Sequence, residues 1–382
     1  MSDNKLYKTP DCSKFTGYKP CAPYKLCDEC DDSRPVGKRI LLIALEAQGA
    51  VLMTTPLLHA IKREHPDSCF TWLTMPASMP LLENNHLIDR LLPWNDENRM
   101  LLKEIEFDIV IALDKSAYAG AFVNSLKAGE KYGFGLSPEG VIIPLNEGAL
   151  YNYKLGLNDK LKFKENTLTV VEMLHKIAEL PYQGDRYILE LKQEEIDHRK
   201  NWAKEAGISE DDIVIGFNTG CSQLFPNKKL RKEQQVTLIE MLYDYDPDMK
   251  IVLLGGREDT ERNDRIYELC GKRPIKTPTT EGLRRGIAYV DLSDIVVSGD
   301  SLGMHIAVGL RKYVVVWFGL ACAHEIELFG RGVKIMSGVS CEPCCKSTCD
   351  DLKCLDEISL QAIYDAVIKG VDVLKAEKAG QK

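Results

Sequence analysis

The sequence predicts an α/β protein built as two Rossmann-like, doubly wound halves facing each other across a cleft. Three observations predict it. Short apolar, β-branched runs alternate with helical stretches along most of the 382 residues, the pattern of parallel sheets covered by helices on both faces. The alternation breaks at Pro181-Tyr182-Gln183-Gly184 and restarts, in a chain too long for one ordinary core. The clearest βαβ unit lies late, in DIVVSGDSLGMHIAVGLRKYVVVWFG over residues 294–319.

Residues 1–38 read as an irregular, cysteine-containing arm. The first half covers residues 39–184. RILLIAL at 39–45 is its first strand, Gln48-Gly49-Ala50 a tight turn and 51–64 a helix with Pro56 in its early part. Strands follow at 70–74 and 107–113, the second ending at Asp114-Lys115. A helix is expected at 117–128, short strands at 131–134 and 141–145, and a helix at 167–179. The second half covers 185–355. A charged helix at 190–206 leads to strands at 213–217 and 251–254, with helices at 231–243 and 260–270. Thr280-Glu281-Gly282-Leu283 opens another helix. The late βαβ unit and a strand at 333–336 complete the sheet, and residues 356–382 form a terminal amphipathic helix.

In such units ligands sit beyond the carboxyl ends of strands, where helix N-termini offer free N–H groups and partial positive charge. Asp300, Ser301 and His305 fall there, at an anion or sugar site or, equally, in an ordinary helix cap with a buried histidine. Thr219 and Ser222, in Asn218-Thr219-Gly220-Cys221-Ser222, follow another strand, with Lys228 and Lys229 shortly after. Glu258, behind Leu254-Gly255-Gly256-Arg257, follows a third and can accept hydrogen bonds from hydroxyls. Three such strand ends in one sheet converge on one crevice. A P-loop is absent and no GxGxxG follows the first strand, which disfavours a dinucleotide oxidoreductase.

The net charge of −8 gives no general attraction to nucleic acid or anionic lipid. No run is long and apolar enough to span a bilayer, and no apolar signal segment is visible at the start. The expected compartment is the cytoplasm, with at most peripheral contact with the inner membrane. Thirteen cysteines are many for that compartment and most fall in two clusters, which favours metal ligation over disulfides. Cys341, Cys344, Cys349 and Cys354 have the spacing of a closed four-thiolate structural site for zinc or iron. Cys12, Cys21, Cys27 and Cys30 are a second candidate set, or free thiols.

The chain resembles the heptosyltransferases of glycosyltransferase family 9. The resemblance spans about residues 39–371 and is carried by GAVLMTTPLLHAIKREHPD, GFNTGCSQLFPNKKL, LLGGREDTERN and DIVVSGDSLGMHIAVGL with VVVWFG behind it. It implies a GT-B fold with an acceptor-binding first domain and a donor-binding second domain. It implies an ADP-linked L-glycero-D-manno-heptose donor and a lipopolysaccharide-core or related glycan acceptor. By that likeness Thr219, Ser222 and Lys228 lie near the donor diphosphate, and Glu258 and Asp300 face the sugar or phosphates. Ser301, Gly303 and Met304 line the nucleotide pocket, and His305 is mainly structural.

Two departures matter. The family's front loop reads G-D-V and its Asp is the expected base, whereas Gly49 is followed here by Ala50. The family's D-T-G is replaced by Asp300-Ser301-Leu302. An inverting transfer needs a base for the acceptor hydroxyl and positive charge for the departing diphosphate. Asp114, at a first-domain strand end, is the expected replacement base, with Glu46 the second candidate. Lys228 supplies the charge, so no catalytic metal is expected. The alternatives are a catalytically silent sugar-nucleotide-binding or scaffold protein, and transfer to a protein hydroxyl as in the autotransporter branch of the family.

Overall fold

Strand β1 (Arg39–Ile43) shows why the apolar runs become parallel strands. Ile40 and Leu42 point into one core and Leu41 and Ile43 into another, so the strand is buried on both faces, as sandwiched parallel sheets require. The computed structural model describes residues 9–28, 30–222 and 224–380. The first sheet adds β2 (Cys69–Thr74), β3 (Arg90–Pro93), β4 (Glu106–Ala112), β5 (Lys127–Leu136) and β6 (Ile142–Pro144). Its order is β3-β2-β1-β4-β5-β6, parallel except for the antiparallel β5–β6 edge.

The second sheet contains β7 (Val214–Asn218), β8 (Lys250–Leu254), β9 (Ile275–Lys276), β10 (Ile295–Gly299), β11 (Tyr313–Phe318) and β12 (Gly332–Met336). It runs β12-β11-β10-β7-β8-β9, all parallel. Both halves therefore place their first and fourth strands side by side at the sheet centre. That is where a doubly wound sheet reverses its strand order and opens a crevice. Two six-stranded sheets of this kind make a GT-B architecture.

Several boundaries differ from the sequence expectation for local reasons. The expected 51–64 helix is two helices, Gln48–Thr54 and Leu57–Glu64. They part at Pro56, which has no N–H to donate. The Thr55 hydroxyl donates to Leu52 O (2.7 Å) and accepts from Ile188 N (2.9 Å). The helix expected at 117–128 stops at Asn124, and β5 takes the following residues. β3 and β9 are short edge strands whose apolar signal is too brief to read. The Pro181–Gly184 break leads into a buried strap in which Tyr187, Ile188 and Leu189 are all under 9% exposed. Arg63 clamps this strap through both Asp185 oxygens (2.6 and 2.7 Å). The terminal helix Leu360–Gly380 packs Ile363, Val367, Val371 and Leu374 into the outer core of the second sheet.

An apolar seam joins the halves. Leu52, Leu81 and Val171 of the first half share a core with Met304, Ile306 and Val308 of the second. Arg284 reaches across it to Pro80 O (3.0 Å) while bonding Glu190 O (2.8 Å) and Glu195 Oε1 (2.7 Å). Among the described residues, no helix is long and apolar enough to cross a membrane.

Candidate active site

In the second sheet β7 and β10 lie side by side, with Asn218 in register with Ser298. Asn218 Nδ2 lies 3.0 Å from Ser298 Oγ, 2.9 Å from Ser301 Oγ and 3.1 Å from Gly220 O. This network ties the two strand ends together. Ser301 is the N-cap of helix Leu302–Gly309 and accepts from Met304 N at 3.4 Å. Gly303 permits the packing, because a Cβ there would lie 2.5 Å from Asn218 Oδ1.

Beside this cap the Lys228 ammonium donates to Asp300 Oδ2 at 2.6 Å and lies 5.2 Å from the Phe225 ring centroid. The two side chains are only 22% and 12% exposed, a cation and an anion held at the strand ends. His305 Nε2 is 3.9 Å from Asp300 Oδ1, and its ring stacks on Tyr187. Burial pushes the His305 imidazole down to about 4, so it stays neutral beside the ion pair. Met304 is fully buried; it packs the helix start into the core instead of lining open space.

Thr219 is 1% exposed and its hydroxyl donates to Asn263 Oδ1. Its carbonyl accepts from Arg262 Nε (2.9 Å) and Gln235 Nε2 (3.3 Å). Thr219 therefore braces the loop from below. Ser222 is exposed, and its Oγ accepts from Leu224 N at 3.2 Å. Glu258 is exposed and lines a surface concavity with Lys229, Lys232 and Arg262. The loops after β7 and β8 abut, since a Cβ on Gly220 would lie 1.9 Å from Asp259 Oδ1. The Lys228–Asp300 ion pair lies next to the Ser301 cap, with Ser222 and Glu258 on the neighbouring loops.

The first sheet has its own crevice between β1 and β4. Asp114, just past β4, accepts from Leu45 N (2.8 Å) and Glu46 N (3.2 Å), just past β1. Burial pushes this carboxyl up to about 6 against those two bonds, and the Glu46 charge adds to the rise. Glu46 is exposed and accepts from the Tyr118 hydroxyl. Gly49 meets the second half directly: a Cβ there would lie 2.5 Å from His305 Cδ2. The front turn thus lies against the helix that follows Asp300.

Three charged residues here escape a reading by motif. Lys115 lies over the Phe134 ring at 5.0 Å, donates to Asn152 O (2.6 Å), and is pushed down to about 8 by burial and then by Lys162. Glu325, just after β11, is pushed up by burial; Lys162 and Lys115 oppose the rise and Asp300 adds to it. Charges from both halves therefore act on one another across the cleft. Only Lys115 had a signal, being the second residue beyond a strand end.

The cysteines are arranged differently from the expectation. Cys341, Cys344 and Cys349 act electrostatically on Cys354, and Cys12, Cys21 and Cys30 on Cys27, so both clusters are gathered in space. Among the described residues, neither set brings three donor atoms within 4.8 Å of one another. Cys349 Sγ instead donates to Asp351 O at 2.9 Å. Among the described residues, the group whose donor atoms all lie within 4.8 Å of one another is Cys322, His324 and Glu325. Sequence spacing does not report these donors, which β11 brings up beside the cysteine-rich loop.

Comparison with known proteins agrees with this geometry. The model of glycosyltransferase family 9 (heptosyltransferase) matches residues 99–355. Lipopolysaccharide heptosyltransferase 1 of Campylobacter coli is 24% identical over 315 residues, covering 74% of this chain and 84% of that protein. The glycosyl transferase family 9 structure from Veillonella parvula shares the fold at a TM-score of 0.68 and 18% identity, covering 87% of this chain and 97% of the other. The ADP-heptose lps heptosyltransferase II of E. coli shares it at a TM-score of 0.61 and 18% identity, covering 85% and 98%. The chain belongs to glycosyltransferase family 9, the heptosyltransferase family, and is a glycosyltransferase.

Proposed function

We propose that the protein transfers heptose, with inversion, from ADP-L-glycero-D-manno-heptose to a hydroxyl of a lipopolysaccharide-core acceptor at the cytoplasmic side of the inner membrane. The second half holds the donor and the first half the acceptor. The observation that carries this reading is the Asp114 carboxyl, buried at a first-half strand end and pushed up to about 6. A base works best when its pKa lies near the operating pH. Each Asp114 oxygen accepts one backbone N–H and retains a lone pair for a proton.

In this reading the acceptor O–H gives its proton to Asp114 as its oxygen bonds the anomeric carbon. The bond from that carbon to the diphosphate breaks and ADP leaves with the electron pair. Lys228 offsets the charge gathering on the diphosphate, and the N–H groups at the start of helix Leu302–Gly309 add to it. Asp300 orients Lys228 through their 2.6 Å bond. Neutral His305 supports the packing and adds no second positive charge.

The test is incubation with ADP-heptose and heptose-deficient core acceptors, following ADP release and product mass. Wild type and Glu46→Ala are expected to turn over, and Asp114→Ala to bind nucleotide without transfer. Nucleotide binding with no turnover on any acceptor would establish the silent reading. Heptose found on co-expressed proteins by mass spectrometry would move the acceptor to a protein hydroxyl.

A further inference from the structure

The segment after β11 carries donor groups that the transfer chemistry does not use. Cys322 is 3% exposed. Its Sγ, a ring nitrogen of His324 and a carboxylate oxygen of Glu325 lie within 4.8 Å of one another. A fourth donor comes from the cysteine-rich loop, where the Cys345 thiol lies beside Cys322 closely enough for each to act on the other. The backbone holds it in place: Cys344 N and Cys345 N both donate to Leu320 O, at 3.0 and 2.8 Å. We propose that Cys322, Cys345, His324 and Glu325 bind one divalent transition metal of the zinc type, on the wall of the cleft.

Distance, donor type and charge support this assignment. Zinc bonds of ~2.0–2.3 Å place the donors of one tetrahedral site about 3.3–3.8 Å apart, so the 4.8 Å envelope of Cys322, His324 and Glu325 needs only small side-chain rotations, and Cys345 joins by swinging in from beside Cys322. Two thiolates, an imidazole and a carboxylate suit a borderline-soft ion over magnesium or calcium. The three anionic donors leave one negative charge around a dication. Lys162 acts electrostatically on Cys322, Cys345 and Glu325, and Lys115 on Glu325, from the first half.

With four protein donors the site is closed to substrate, so its role is structural. It ties the loop after β11 to the cysteine-rich loop and sets the position of Glu325 opposite Lys115. It is independent of which sugar is transferred.

The experiment uses the full chain, purified reduced and without chelator, and titrated with Zn2+ or Co2+. Metal content and the thiolate-to-Co2+ charge-transfer absorbance are read together. The wild type is expected to hold one metal equivalent more than Cys345→Ser or His324→Gln, and Glu325→Gln to bind at least tenfold more weakly. Cys341→Ser and Cys349→Ser are expected to keep that equivalent. Circular dichroism confirms that each variant is folded, and His324→Gln keeps the ring's volume and polarity approximately. Unchanged metal content and absorbance in Cys345→Ser and His324→Gln would overturn the site. So would loss of this equivalent in Cys341→Ser or Cys349→Ser, or a metal-free chain two mass units lighter through a Cys322–Cys345 disulfide.

Discussion

Between β1 and β4, Asp114 receives the N–H groups of Leu45 and Glu46 and has no bonded cation among the described residues. Between β7 and β10, Asn218 knits Ser298 and Ser301 together, while Asp300 beside them carries the Lys228 ammonium. The two sheets wind in the same order and open their crevices at equivalent places. Topology therefore fixes where a ligand sits and says nothing of what it is. A buried carboxyl with no cation has a raised pKa and suits proton uptake. A lysine seated beside a helix N-terminus suits a diphosphate. In the proposed function one strand order thus carries two kinds of chemistry, and the halves meet at the apolar seam from Leu52 to Met304.

The largest expected effect separates the two crevices by rate. Asp114→Asn should lower kcat by about 10²–10⁴, the usual worth of a general base, with donor affinity nearly unchanged; steady-state assays of ADP release measure it. Glu46→Gln, one residue from the anchored backbone, should stay close to wild type.

The second effect is opposite pH dependence. Asp114 sits at about 6 in the folded protein against an ordinary 3.8. The fold favours its protonated form, so its contribution to stability is complete below about 4 and lost as pH rises through 6. His305 sits at about 4 against 6.5. The fold favours its neutral form, so its contribution is complete above 6.5 and lost as pH falls through 4. Each is worth on the order of 3 kcal/mol. Acidification from pH 7 to 4 should therefore protect amides around Leu45 and expose those around His305, in hydrogen exchange resolved by segment. Asp114→Asn should remove the first trend and leave the second. The same titration predicts an acid limb near pH 6 in the transfer rate, absent from the residual activity of Asp114→Asn.

A third change acts on the second crevice alone. Lys228→Ala leaves Asp300 without its 2.6 Å partner and should cost roughly 1.5–3 kcal/mol, the worth of a charged hydrogen bond. Thermal unfolding reads that loss, and restoration by the double variant with Asp300→Asn would assign it to the unpaired carboxylate. The smallest effect tests the contact between the halves. Gly49→Ala puts a Cβ 2.5 Å from His305 Cδ2 and should destabilise by about 1–3 kcal/mol through overpacking. A displaced His305 resonance in NMR would locate the strain.

The sheets were legible because their strands are buried on both faces. Ile40 to Ile43 and Tyr313 to Phe318 leave unbroken apolar runs, and turn residues mark their ends. Edge strands β3 and β9 were not legible, since four and two residues are too few to show a period. Strand ends flagged Asp114, Lys228, Asp300 and Ser301. They did not reveal that Thr219 and Met304 point inward, because loop direction is set by distant partners such as Asn263 and Asn218. The donor group after β11 was not legible for a related reason. CxxC spacing reports neighbours in sequence, whereas Cys322 and Cys345 meet only because the loop after β11 and the cysteine-rich loop share Leu320 O.

Calorimetric titration with ADP, run in parallel on wild type, Lys228→Ala and Asp114→Asn, tests the division of labour most directly. Lys228→Ala should bind ADP at least tenfold more weakly, and Asp114→Asn as tightly as wild type while failing to transfer heptose. Intact ADP affinity in Lys228→Ala together with lost affinity in Asp114→Asn would place the diphosphate in the other half and contradict the assignment of donor and base.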